Sequence, residues 1–230
     1  MDSLTRFTDQ RLYWLNDPTS WVSVEDSAEN VEGSGGSYNI SDDGGTLKLF
    51  APTKKDFWSK TFYSPILIKS DASALVSSVP VEQEVTVKVD FEFSPINQFD
   101  QGGLLVFIDD NHWMKCGIEY CDGRSRLSVV VCNEYSDWST QPWSETSVSL
   151  KIHKVSQSHS LVVEAATKGS NDYNFIRIAH LSPGPKHSRA LLPWQVGPYA
   201  ACPLKQSGCQ AVFTKFSLGP REPSTHCADL

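Results

Sequence analysis

Residues 99–139 decide the fold, and they read FDQGGLLVFIDDNHWMKCGIEYCDGRSRLSVVVCNEYSDWS. The stretch predicts three or four consecutive antiparallel strands, the first ending at residues 109–111 and the second at Asp122-Gly123. An Asp-Gly pair supplies the two positive-φ positions of a type I′ turn, which makes it a strong hairpin signal. With a two-residue loop, Cys121 faces Arg124 and Glu119 faces Arg126 across the hairpin.

Side chains of a strand alternate between the two faces of its sheet, so this register sorts the hairpin into two surfaces. One face is apolar and is predicted to lie in a core: Met114, Cys116, Ile118, Tyr120, Leu127, Val129 and Val131. The other face mixes charges with an aromatic ring: Trp113, Lys115, Glu119, Arg124, Arg126 and Ser128. The second face is therefore where we expect function.

The rest of the chain repeats the pattern of short strands between turns. Val85, Val87, Val89, Phe91 and Phe93 alternate with polar residues and predict a strand that contributes to the same core or an equivalent one. We expect about a dozen short strands and find no long helical run, which is typical of an antiparallel β-sandwich. One all-β domain over residues 1–230 is predicted, with its core at about 11–219 and short tails.

Composition and charge limit the partners and the compartment. The 230 residues carry a formal net charge of −7, which disfavours attraction to nucleic acid or to an anionic membrane. The opening residues lack an apolar signal core, so we predict a cytoplasmic protein. The six cysteines are then expected to be free thiols. A disulfide between Cys202 and Cys209, across a hairpin, is the alternative.

Catalytic motifs are sparse. No nucleotide-binding loop, nucleophile elbow or metal-ligand spacing is present, so neither a cofactor nor a metal is predicted. Two carboxylates on one sheet face could hydrolyse a glycosidic bond. Glu119 qualifies, with Asp90 or Glu92 as the second carboxylate. The competing interpretation pairs Glu119 with Arg126 in an ordinary cross-strand contact.

A binding groove is the main site hypothesis. Trp113, Lys115 and Glu119 share one face of one strand because even numbers of residues separate them, and Arg126 lies opposite Glu119. The predicted ligand-binding residues are Gln101, Trp113, Lys115, Glu119, Arg126 and Trp138. Trp113 is either a binding platform for a ligand or a core residue, and the sequence leaves both open.

The chain resembles a domain-of-unknown-function family that has a concanavalin A-like lectin/glucanase jelly roll and that includes the fungal regulation of enolase protein. The resemblance covers roughly residues 11–219. It is carried by residues 56–58, 99–104, 111–115, 117–120, 127–130, 136–139, 196–200 and 213–216. Members of that family often carry an arginine where this chain has Phe107, and the chain lacks the acidic triad of the glucanase relatives.

The resemblance implies a jelly roll and a domain without catalysis, with a role in carbohydrate metabolism through a protein partner. Three functions follow for testing. The first is a non-enzymatic cytoplasmic binding or regulatory protein whose partner is an enolase-like enzyme. The second is a carbohydrate-binding, lectin-like domain. The third is a glycoside hydrolase or related enzyme that uses Glu119.

The first testable prediction concerns redox state. Thiol titration under denaturant, on protein kept anaerobic from lysis, should find all six cysteines, because nothing in the chain directs it to an oxidising compartment. A count of zero would indicate three disulfides and contradict the prediction of a cytoplasmic protein.

Overall fold

A computed structural model describes residues 2–20, 35–156, 158–181, 192–204 and 208–226. Within them the strands are β1 Leu12–Leu15, β2 Ser37–Ile40, β3 Thr46–Phe50, β4 Phe57–Ser59, β5 Ile68–Ser70, β6 Ser73–Val79, β7 Val85–Ser94, β8 Gln101–Asp109, β9 His112–Cys121, β10 Arg124–Asn133, β11 Tyr135–Pro142, β12 Ser147–Val155, β13 Ser160–Ala166, β14 Asn174–His180, β15 Trp194–Ala201 and β16 Gln210–Pro220. Alternation in residues 21–25 predicts a further strand, and the three prolines and one glycine of residues 183–193 predict a loop. The strand and most of the loop lie outside the described ranges.

The strands form two seven-stranded antiparallel sheets and one small hairpin. The first sheet has the order β1-β6-β15-β8-β9-β10-β11, and the second has the order β14-β13-β12-β7-β16-β3-β2. Strands β4 and β5 pair only with each other. The predicted antiparallel β-sandwich is confirmed. In the described ranges, no helix is long and apolar enough to cross a membrane.

The central hairpins have the predicted register. Cys121 pairs with Arg124, Glu119 with Arg126, and Trp113 with Cys132. The turn between β9 and β10 holds Asp122 at φ 53° and Gly123 at φ 78°, the two left-handed positions that a type I′ turn requires. Strands β8 to β11 are therefore consecutive neighbours in the first sheet, as the sequence predicts.

The main core lies between the two sheets. It contains the inward residues of β9 and β10, Met114, Cys116, Ile118, Leu127, Val129 and Val131, together with Val85, Val87, Val89, Phe91 and Phe93 of β7. Tyr120 departs from the prediction and is only partly buried. It lies next to the last residue of β9, close to the turn at Asp122-Gly123. Alternation along both segments predicted this core correctly.

The outer face of the first sheet carries a second apolar cluster, which the sequence analysis did not anticipate. Its members include Leu105, Phe107, Trp113, Val130 and Cys132, with Phe57 and Trp58 of β4 packed on them. The small β4–β5 hairpin attaches to β11, since the Ser59 hydroxyl donates to the Glu134 carbonyl oxygen at 2.7 Å and the Ser59 amide donates to Ser136 Oγ at 2.9 Å. The hairpin therefore covers part of a face that was predicted to be polar.

The described cysteines are buried thiols. Burial raises the pKa of Cys116 to about 12, of Cys132 to about 11 and of Cys202 to about 12. Cys202 and Cys209 do not form the alternative disulfide, and Cys209 Sγ donates to the Ala201 carbonyl oxygen at 3.3 Å. Cys227 lies outside the described residues.

Two glycines allow β8 and β9 to pair closely, and they generate the second prediction. Gly103 faces Gly117, and a Cβ on Gly117 would lie 1.9 Å from the Gly102 carbonyl oxygen. Gly117→Ala should lower the free energy of unfolding by about 1–3 kcal/mol or more, because overpacking forces the strands apart. Denaturant unfolding followed by tryptophan fluorescence measures the change.

Gly45→Ala is the matched control, since a Cβ there would meet only side chains, Asp43 Oδ2 at 3.1 Å being the nearest. An equal loss in both variants would contradict the close approach of β8 and β9.

Candidate functional site

A groove crosses the outer face of the first sheet beside the β4–β5 hairpin. It consists of a larger cavity of about 680 Å³ and a smaller one of about 210 Å³. Both cavities share the same four aromatic residues, Trp58, Tyr63, Phe99 and Trp138. Thr61, Phe62, Asp122, Ser136 and Asp137 complete the larger cavity. Asp56, Lys115 and Glu119 lie in the smaller one.

An ion pair anchors one side of the groove floor. Lys115 Nζ lies 2.8 Å from Asp56 Oδ1, and both side chains are at most one-tenth exposed. Gln101 Nε2 donates to the same Asp56 oxygen at 3.1 Å, and the Tyr199 hydroxyl donates to Gln101 Oε1 at 3.2 Å. Burial raises the pKa of Asp56, and the ammonium of Lys115 opposes that rise.

Glu119 forms the other side of the floor. Its Oε2 accepts a hydrogen bond from the Ser128 hydroxyl at 2.6 Å, and Ser128 Oγ accepts one from Trp138 Nε1 at 2.9 Å. Burial raises the pKa of Glu119, the Lys115 ammonium lowers it, and the nearby Asp56 carboxylate raises it further. A chain of hydrogen bonds thus joins a wall residue of the groove to its most buried carboxyl group.

Three of the six sequence-predicted residues line the groove. Lys115, Glu119 and Trp138 border the smaller cavity. Gln101 lies directly beneath it, 1% exposed, and holds Asp56 in place. These four residues come from β8, β9 and β11, which the predicted meander places side by side.

Trp113 does not reach the groove surface. It is 0% exposed and packs in the second apolar cluster, with its ring centroid 5.7 Å from that of Phe57. The expectation that Trp113 lines the groove is therefore corrected, and the reason is the β4–β5 hairpin, whose Phe57 covers this part of the sheet. The core interpretation of Trp113 matches its position.

Arg126 faces Glu119 in the register, but no ion pair joins the two side chains in the described structure. Glu119 instead accepts from Ser128 on the same strand as Arg126. Arg126 is half-buried, and its guanidinium lowers the pKa of Cys121 against the larger effect of burial.

The proposed carboxylate partners of Glu119 are corrected as well. Asp90 and Glu92 lie on β7 in the second sheet, where Asp90 accepts from Ser149 at 2.5 Å and Glu92 pairs with Lys168 at 2.6 Å. Both point away from the core that separates the sheets, and packed sheets are about 10 Å apart. They therefore cannot share a sugar ring with Glu119. The carboxylate that does share its cavity is Asp56.

The site prediction missed Asp56, Trp58, Tyr63 and Phe99. Three of them belong to stretches that carry the family resemblance, residues 56–58 and 99–104, and that signal could have marked them. Tyr63 has no such signal, because its place depends on how the β4–β5 hairpin folds back over the sheet. Long-range packing of this kind cannot be read from alternation.

The backbone around the groove is held in an uncommon conformation. Lys60 has φ 62°, Phe62 has φ 70° and Phe99 has φ 67°. Such left-handed values are rare for bulky residues and cluster at ligand sites and clamps. Phe62 is 90% exposed, so the hairpin displays an aromatic ring to solvent at the entrance of the larger cavity.

The fold has known counterparts. Two packed antiparallel sheets of this type make a concanavalin A-like jelly roll, a fold that the chain shares with a plant seed lectin. The chain belongs to the DUF1349 family, described as proteins of unknown function, whose model matches residues 36–221.

Relatives and solved structures agree with this assignment. Regulation of enolase protein 1 of Saccharomyces cerevisiae is 30% identical over 196 residues, which cover 83% of this chain and 92% of that protein. A crystal structure of a functionally unknown Saccharomyces cerevisiae protein matches with a TM-score of 0.75 and 26% identity, covering 95% of this chain and 100% of that one. A seed lectin of Lotus tetragonolobus, with a TM-score of 0.52 and 12% identity over 96% of this chain and 100% of the lectin, shows the shared fold.

The third prediction separates core from groove. Trp113→Ala should lower the free energy of unfolding by about 3–5 kcal/mol, because it removes a large side chain from a packed cluster. Trp138→Ala should cost clearly less, since Trp138 is only partly buried. Equilibrium unfolding in urea compares the two variants. A Trp113→Ala protein of wild-type stability would contradict the core assignment.

Proposed function

We propose that this protein is a non-enzymatic binding protein with a regulatory role in carbohydrate metabolism, and that the groove on the outer face of the first sheet is its binding site. One observation carries the proposal: aromatic walls stand over polar groups that already bond to one another. Apolar pockets with a few fixed polar groups are the usual form of a ligand site.

The state of the carboxyl groups supports binding rather than hydrolysis. A glycoside hydrolase needs one carboxyl group as a proton donor and a second, ionised one that acts as nucleophile or base. Asp56 is held in an ion pair with Lys115 and accepts from Gln101, so its oxygen is occupied rather than directed at a substrate. Glu119 is likewise tied to Ser128.

An enolase-like enzyme in the cytoplasm is the candidate partner. The support is the name of the relative, regulation of enolase protein 1, which matches most of both chains. The exposed hairpin aromatic Phe62 and the neighbouring Ile66, 90% and 70% exposed, could contact a protein at the entrance of the groove. Aromatic residues are enriched in such contacts.

Carbohydrate binding is the second candidate, and the groove walls favour it. Trp58 and Trp138 offer ring surface that can stack on the apolar face of a sugar. Hydrolysis by Glu119 with Asp56 is the minor alternative, since the two carboxyl groups share one cavity.

The fourth prediction tests these functions together. Purified enolase in isothermal titration calorimetry and a glycan array should yield binding to one or both. Trp138→Ala should weaken that binding at least tenfold, because the variant removes a groove wall. Tyr13→Ala is the matched control, since Tyr13 is 43% exposed on the edge strand β1 of the same sheet. This variant should bind with wild-type affinity.

Binding that survives Trp138→Ala unchanged would remove the groove from the proposal. Turnover of aryl glycosides that Glu119→Gln abolishes would establish the hydrolase instead.

A further inference from the structure

The smaller cavity is walled by aromatic rings set steeply against one another. The Trp58 and Trp138 centroids lie 6.1 Å apart at an interplanar angle of 88°, and those of Trp58 and Tyr63 lie 5.4 Å apart at 68°. Tyr63 and Phe99 follow at 6.5 Å and 80°. All four rings border the same 210 Å³ space, in which Glu119 also lies.

Carboxyl groups outnumber ammonium groups in this space. Asp56 and Glu119 contribute two carboxyl groups, and Lys115 contributes one ammonium that is already bound to Asp56. One carboxylate is therefore left over when both are ionised. The pKa of the Tyr63 phenol reflects these carboxyl groups. Burial raises it most, and Glu119, Asp56 and Asp122 each raise it further.

Rings and a surplus carboxylate together favour a cation. Aromatic faces attract cations, and quaternary ammonium groups are recognised by walls of several rings. A primary ammonium would need three hydrogen-bond acceptors. Glu119 Oε2 already accepts from Ser128, and a side-chain hydrogen bond from Trp138 also lowers the pKa of this carboxyl group. A carboxyl group that already accepts from two neighbours, between aromatic walls, suits an alkylated nitrogen better than an ammonium that must donate three hydrogen bonds.

We propose that the smaller cavity binds the alkylated ammonium group of a small organic cation, with Glu119 as its counter-ion and Trp58, Tyr63 and Trp138 as its walls. This deepens the proposed function and rests on it, since both take the groove as the binding site. The larger cavity, lined by Phe62 and Asp122 beyond the shared rings, holds the remainder of the ligand.

Proton linkage gives the proposal a distinctive signature. Burial raises the pKa of Glu119, and a bound cation favours the ionised carboxylate. Binding then releases a proton, so affinity should rise with pH up to that raised pKa and level off above it. The groups that face Glu119 are Lys115 and Cys121 on β9, Arg126 and Ser128 on β10, Asp56 before β4, Tyr63 in the β4–β5 loop, Trp138 on β11 and Tyr199 on β15.

The fifth prediction uses choline and its uncharged isostere, 3,3-dimethyl-1-butanol, in calorimetric titrations of the full chain. Choline should bind at least tenfold more tightly than the alcohol, and its affinity should rise with pH. Glu119→Gln should weaken choline at least fivefold and remove the pH dependence, because the amide does not titrate. Glu92→Gln is the control, since Glu92 is an exposed carboxylate on the second sheet, and it should change neither the affinity for choline nor its pH dependence.

Trp138→Phe keeps a ring in the wall and should retain more choline affinity than Trp138→Ala. Thermal melting shows whether each variant folds. Equal affinity for choline and the alcohol, or tighter binding of glucosamine than of choline, would overturn the proposal. If choline does not bind but enolase or a glycan does, and Trp138→Ala weakens that binding, then the proposed cation site is wrong and the proposed function stands. If none of them binds, both fail.

Discussion

The two-residue turn at Asp122-Gly123 is the constraint on which the rest of this structure depends. A shift of one residue in the register would exchange the two faces of a strand, placing Lys115 and Glu119 in the core and Met114 and Ile118 in the groove. The left-handed φ values of the turn fix the register that avoids this exchange. The contact between Glu119 and Ser128, nine residues apart in the chain, follows directly from it.

Strand order in the centre of the first sheet could be predicted because it depends on local signals. Alternation in 112–133 and in 85–94 identified the core, and the Asp-Gly turn set the pairs. Three strands complete the sheet beyond β8, and these strands, β15, β6 and β1, come from distant parts of the chain. No local pattern reports such pairings, so the sequence predicted the class of sandwich without its full strand order.

The site could be predicted only where the sheet alone determines it. Lys115, Glu119 and Trp138 reach the groove because the pleat directs them to the outer face. Trp113 has the same parity and yet is buried, because Phe57 of the β4–β5 hairpin packs on its ring. Phe107 belongs to the same cluster. Outward residues that the β4–β5 hairpin covers are buried, and outward residues beyond the hairpin line the groove. Tertiary contacts of the hairpin decide which residues fall in each set.

The buried charged groups on the groove floor beside this apolar cluster carry a desolvation cost. Buried ion pairs are weak evidence for stability, because well-packed apolar residues of similar volume often serve as well or better. The second apolar cluster could extend across the positions of Asp56 and Lys115, yet these positions hold an ion pair that Gln101 and Tyr199 support, and Glu119 adds a second buried carboxyl group. Stability alone gives no reason for that second buried carboxyl group. The proposed ligand, whose charge or hydrogen bonds would complete the set, gives such a reason, and the groove is a better guide to function than the fold.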